Sequence, residues 1–129
     1  MTNEEIEKSK WGKRHLHLLM IGQLIREASI LYEMNLVCFY YHRNAEEQRK
    51  LFDKGRSRCD GVKKRSKHQD WRAHDLCVVE GRGKWIGFGD KPLTKKQAEQ
   101  YEFLGLIWEA YHPRNKWGGA TDVFHFQSF

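Results

Sequence analysis

Ala73-His74-Asp75-Leu76-Cys77-Val78-Val79 decides the fold, together with Asp122-Val123-Phe124-His125-Phe126 near the end of the chain. Both runs are short, β-branched or aromatic, and carry a polar side chain among apolar ones, which is the pattern of buried strands. Alternation in the first puts Asp75, Cys77 and Val79 on one face and His74, Leu76 and Val78 on the other. In the second, Phe124 and Phe126 turn to the core and His125 turns away. A carboxylate fixed among apolar strand residues is costly to bury unless it is paired or binds a metal.

Working outward, Thr2 and Glu5 make a capping box. From Trp11, the residues Leu18, Ile21, Leu24, Ile25, Ala28, Leu31 and Tyr32 recur at helical steps, so a helix should run to about Met34-Asn35. Leu36 to Tyr41 reads as a buried strand. A helix from Asn44 to about Asp53 follows, stopped by Gly55. Gly81-Arg82-Gly83 turns the central strand into a hairpin with Trp85 to Phe88. Thr94 and Gln97 cap a helix whose stripe is Ala98, Tyr101, Leu104, Trp108 and Tyr111. His112 to Gly119 reads as loop. The expected class is α+β, with a small antiparallel sheet packed against helices.

The 129 residues make one domain, 1–129, with room for a single core. Hydrophobic residues at 40% and charged residues at 31% exclude both a disordered chain and a membrane span, which needs about 18 apolar residues in a row. The start, Met1-Thr2-Asn3-Glu4-Glu5, is acidic and has no apolar run behind it, so a signal peptide is not expected. Three scattered cysteines, Cys38, Cys59 and Cys77, point to folding in a reducing cytosol. Of the net charge of +6, residues 55–67 supply six positive side chains against one negative. Such a cluster either keeps a loop solvated or attracts a polyanion: nucleic acid, an acidic membrane surface or a wall polymer.

His68, Asp75 and His125 come from separate segments and form the donor set of a catalytic zinc site with an open fourth position. Zinc accepts imidazole and carboxylate together and lowers the pKa of a bound water to about 7. With seven histidines in the chain, spacing alone leaves a chance grouping open.

Ser66-x-His68-x(6)-Asp75, with Ala73 between and Asp122-x-x-His125 downstream, resembles the LAS-type zinc peptidases of the M15 group. These are the D-alanyl-D-alanine carboxypeptidases and dipeptidases and the phage L-alanyl-D-glutamate endolysins. Tyr41 to Gln48, then Leu51 and Gly55, is similar to the family's strand-to-helix segment, and Trp117-Gly118-Gly119 to the turn before the last ligand. The resemblance implies that His68, Asp75 and His125 hold Zn2+ and that Asp122 is the general base that later protonates the leaving amine. It implies that Arg43 stabilises the oxyanion, and that Gln48 and Ser66 position substrate. The chain departs from the family at Trp71, where glycine is usual, and in the short Ala120-Thr121 interval before Asp122.

The implied function is a zinc peptidase cutting peptidoglycan stem peptides at the L-alanyl-D-glutamate bond, as an endolysin of a bacteriophage. It would be a monomer made in the bacterial cytoplasm, acting on the cell wall after release and drawn by its basic loop to the anionic wall or outer membrane. A D,D-carboxypeptidase or dipeptidase would share the same central residues. A basic nucleic-acid-binding domain is a third reading, but the peptidase assignment needs no nucleic acid. Adjacent strand residues point oppositely, so His74 is not expected to join Asp75 on one metal. His15, His17, His42 and His112 read as surface or helix-face residues, and Cys77 as a small buried hydrophobe. Glu109 is a rival base that its helix position disfavours.

Overall fold

A computed structural model describes residues 2–40, 45–56, 61, 67, 72–89 and 91–129. The elements are helices α1 (Asn3–Lys8), α2 (Lys10–Tyr32), α3 (Ala45–Asp53) and α4 (Lys95–Tyr111), with strands β1 (Asn35–Tyr40), β2 (Ala73–Glu80), β3 (Lys84–Trp85), β4 (Lys116–Trp117) and β5 (His125–Gln127). The fold is α+β, an antiparallel sheet against helices. No helix among the described residues is long and apolar enough to cross a membrane.

β2 is the centre of the sheet. β1 pairs antiparallel along one edge, from Asn35 opposite Val79 to Tyr40 opposite Asp75, with a register shift between Cys38 and Tyr40. β5 and β3 divide the other edge: β5 pairs with residues 73–75 and β3 with residues 79–80. β4 extends the sheet beyond β5. Between β5 and β3, Leu76 N–H donates to the Phe124 carbonyl and Ile86 N–H donates to the Val78 carbonyl, so the middle of β2 is paired as well.

Local chemistry sets the helix ends. The Thr2–Glu5 box is formed in both directions, at 2.9 and 3.1 Å, as is that of Thr94 and Gln97. A helix was expected from Trp11, and α2 starts at Lys10; Ser9 separates it from α1, and its hydroxyl accepts from Gly12 N–H at 2.8 Å. Glu33 ends α2 in the left-handed region with φ 53°, and Met34 N–H reaches back to the Ala28 carbonyl.

The core joins Ile21, Leu24 and Ala28 of α2, Leu76 and Val78 of β2, Tyr101, Leu104 and Trp108 of α4, and Phe126 of β5. Three residues of the expected α2 stripe, Leu18, Leu31 and Tyr32, are exposed. The buried row runs His17, Ile21, Leu24, Ala28, and its first member is a histidine. The Tyr101 hydroxyl accepts from Val78 N–H at 2.9 Å and donates to the Ile86 carbonyl at 2.6 Å, tying α4 to the β2–β3 turn. Two expected boundaries move: Lys116–Trp117 is a strand inside the expected loop, and β5 starts at His125, so Phe124 belongs to the turn before it.

Candidate active site

β2 and β5 bring Asp75 and His125 together. They are directly opposed in the antiparallel register, so their side chains share a face. His125 Nδ1 lies 3.6 Å from Asp75 Oδ1, and both side chains are less than one-fifth exposed. The next pair, His74 and Phe126, faces the core, as alternation requires. His74 therefore points away from Asp75, in line with the sequence reading.

The turn before β5 adds Asp122. His125 N–H donates to the Asp122 carbonyl at 3.2 Å, and Asp122 N–H to the Gly119 carbonyl at 3.1 Å, so the three-residue offset is one tight turn. Asp122 is exposed, and its charge acts on the His125 ring. Burial pushes the His125 pKa down. The Asp75 carboxylate, the Gln127 side chain and the charge of Asp122 together outweigh burial and leave it above the ordinary imidazole value. This environment favours a cation on the imidazole edge.

Trp117-Gly118 braces this turn. Trp117 Nε1–H donates to the Val123 carbonyl at 2.8 Å, and the Trp117 ring lies where a side chain on Gly105 of α4 would go. Gly118 N–H donates to the His125 carbonyl at 2.8 Å. A Cβ on Gly118 would overlap the Asp122 carbonyl oxygen and stand 3.0 Å from the Cβ atoms of both Asp122 and His125. Glycine is required there by close approach, not by its φ. Sequence reading placed the Trp-Gly-Gly turn by resemblance; its steric role appears only in three dimensions.

A metal ion is tested by the donors present. Two ligands about 2.0–2.2 Å from a tetrahedral zinc stand about 3.4 Å apart, close to the observed 3.6 Å between His125 Nδ1 and Asp75 Oδ1. The other ring nitrogen, Nε2, is 2.9 Å from Gln127 Oε1, a contact of the kind that fixes the tautomer of a ligating histidine. Asp75 and His125 thus fit two places of a zinc site. Among the described residues, no group of three His, Cys, Asp or Glu side chains assembles around a common point. The expected third ligand, His68, lies outside the described residues, as do Arg43, Ser66, His42 and Trp71. Gln48 lies on α3 and is fully buried. Glu109 accepts from Trp117 N–H at 3.2 Å and so braces the turn from α4. Cys77 is buried, its thiol within 3.5 Å of the Tyr101 hydroxyl, and burial raises its pKa.

Behind Asp75 lies a polar network that sequence reading missed. His17, expected at the surface or on a helix face, lies on the buried face of α2. Its Nε2 is 2.6 Å from His74 Nδ1, and its Nδ1 is 2.7 Å from Ser128 Oγ. A fully neutral chain satisfies these contacts: Ser128 O–H donates to His17 Nδ1, and His17 Nε2–H donates to His74 Nδ1. The network joins α2, β2 and the segment after β5, next to the strands that carry Asp75 and His125. The only sequence signal was that His17 stands one turn before Ile21, in line with Leu24 and Ala28. His17→Ala should empty a packed site and strand a buried imidazole, costing about 2–4 kcal/mol. For a domain of this size, thermal unfolding should then fall by on the order of 10 °C. Unchanged calorimetry would mean that the network contributes nothing.

No protein-family model matches the chain, and neither does any curated protein.

Proposed function

We propose that the protein is a zinc-dependent peptidase that cleaves peptidoglycan stem peptides, with the L-alanyl-D-glutamate bond as its target, in the manner of a phage endolysin. The observation that carries this reading is the opposition of Asp75 and His125 across β2 and β5, with Asp122 one turn before His125. A carboxylate and an imidazole 50 residues apart meet at the spacing of two zinc ligands, and an exposed carboxylate stands beside them.

Zinc held there by His68, Asp75 and His125 would polarise the scissile carbonyl and acidify the attacking water. Asp122 takes the proton of that water on its carboxylate and returns it to the nitrogen of the leaving amine. Its exposure suits this role, because a substrate and a water must both reach it. Asp75 and His125 are largely buried and stay fixed. Gln127 holds the His125 ring in one orientation, and Gly118 lets the turn close tightly enough to set Asp122 against it. Arg43, by the resemblance, pairs with the oxyanion and Ser66 positions the peptide; Gln48, given the same role by the resemblance, is fully buried on α3 and would not touch the peptide directly.

The test is digestion of purified Gram-negative peptidoglycan followed by mass spectrometry of the fragments. The reading predicts stem peptides with a new N-terminal D-glutamate, in a reaction stopped by a chelator and restored by zinc. Release of terminal D-alanine alone would replace it with the D,D-carboxypeptidase reading. A protein that cuts neither bond but binds nucleic acid with steep salt dependence would replace both readings with a binding role for the basic segment at 55–67.

A further inference from the structure

Asp122 does not stand on a flat surface. It lines a depression of about 320 Å³ together with Ala120, Thr121 and Phe124. A second depression, of about 330 Å³, is lined by Trp85, Phe88 and Gln97 among others. Gly87, Lys91, Pro92 and Leu93 line both, so the two form one track leading from Asp122 toward the β2–β3 hairpin. Each part is at the lower end of the range of small-ligand sites, about 300–1,000 Å³.

The track is a built feature. Gly87, at φ 104°, seats the loop after β3 against Phe124: a Cβ there would come within 2.8 Å of the Phe124 ring. Phe88 stacks on Phe124 at 5.0 Å, and Phe39 packs edge-on against Phe124, Phe88 and Trp85. Rings that pack one another hold a groove in shape without a ligand. Phe88 nevertheless remains half exposed, at 52%, and so presents a ring to whatever lies in the track. Its charges are ordered: a carboxylate, Asp122, at one end; Lys91 at the junction; Lys84 toward the far end.

We propose that this track holds the part of the substrate that supplies the leaving amine, and that Lys91 pairs with a carboxylate on that residue. The assignment rests on the peptidase reading, because it takes Asp122 as the reacting end. In an L-alanyl-γ-D-glutamyl stem peptide, the α-carboxylate of D-glutamate is one carbon from the nitrogen that leaves. A cation in the same depression as the base is placed to select that carboxylate, and the apolar walls at Pro92, Leu93 and Phe88 accept the chain beyond it. A substrate with a neutral group at this point leaves the ammonium without a partner.

Two probes separate the possibilities: a stem tetrapeptide with the D-glutamate α-carboxylate free, and the same peptide with that group amidated. The wild type should favour the free acid by about three- to tenfold in kcat/KM, the range of a partly exposed charge pair. Lys91→Ala should bring the two values together, Lys91→Arg should retain the preference, and Lys91→Glu should invert it. Lys91 is exposed, so these variants should fold. A wild type indifferent to amidation, or a Lys91→Ala variant that keeps the preference, overturns the assignment. If neither peptide is cut, calorimetric titration of both decides. Tighter binding of the free acid that disappears in Lys91→Ala upholds the track while the peptidase reading falls; equal binding removes both.

Discussion

Asp122→Ala should lower turnover of a stem peptide by about a hundred- to ten-thousandfold while the protein still binds one zinc. General base catalysis contributes an effect of that size, and the main-chain bonds at Asp122 stay in place in the variant. Its side chain is exposed, and the turn is held by main-chain bonds from Asp122 N–H to Gly119 and from His125 N–H to Asp122. Loss of the carboxylate also removes one of the charges that raise the His125 pKa, so the imidazole should titrate lower in the variant. That shift, followed by NMR in metal-free protein, shows that Asp122 and His125 feel each other independently of any turnover. His125→Ala should behave differently, losing the metal and the activity together. Normal turnover by Asp122→Ala would remove Asp122 from the mechanism.

Gly118→Ala should be almost as damaging, without deleting any polar group. The added methyl would overlap the Asp122 carbonyl and crowd the Cβ atoms of Asp122 and His125. Since those neighbours are main chain and the roots of side chains, they cannot rotate away. The turn must open, and both residues move with it. Displacement of a positioned group by about 1 Å costs on the order of a hundredfold in rate. Strain and overpacking of this kind also cost about 1–3 kcal/mol of stability. The measurements are kcat/KM and zinc affinity, with thermal unfolding as the control for folding. A variant with wild-type values in all three would show that the turn has slack that the close contacts deny.

How far the sequence discloses this arrangement depends on the range of each interaction. The capping boxes at Thr2 and Thr94 lie within four residues and are legible without a fold. The strand 73–79 is legible from β-branched alternation, one residue short of the observed end at Glu80, and alternation also separates Asp75 from His74. Opposition of Asp75 and His125 needs the register of β2 on β5, which no local pattern carries; the family resemblance pointed to it. The burial of His17 was not legible because its partners, His74 and Ser128, are 57 and 111 residues away. Lys116–Trp117 is too short to show a period, and Phe124 reads as strand because its side chain is as aromatic as that of Phe126. The roles of Gly118 and Gly87 depend on distances to other segments, and glycine alone announces only a turn.

The central claim is that Asp75 and His125 share one metal ion. Equilibrium dialysis of the purified protein against zinc, with metal quantified in the retained fraction, tests it most directly. The account predicts one zinc per chain in the wild type and in Asp122→Ala, and none in Asp75→Ala or His125→Ala when thermal melts show these variants folded. A folded wild-type protein that retains no zinc, or a His125→Ala variant that retains it fully, would contradict the account.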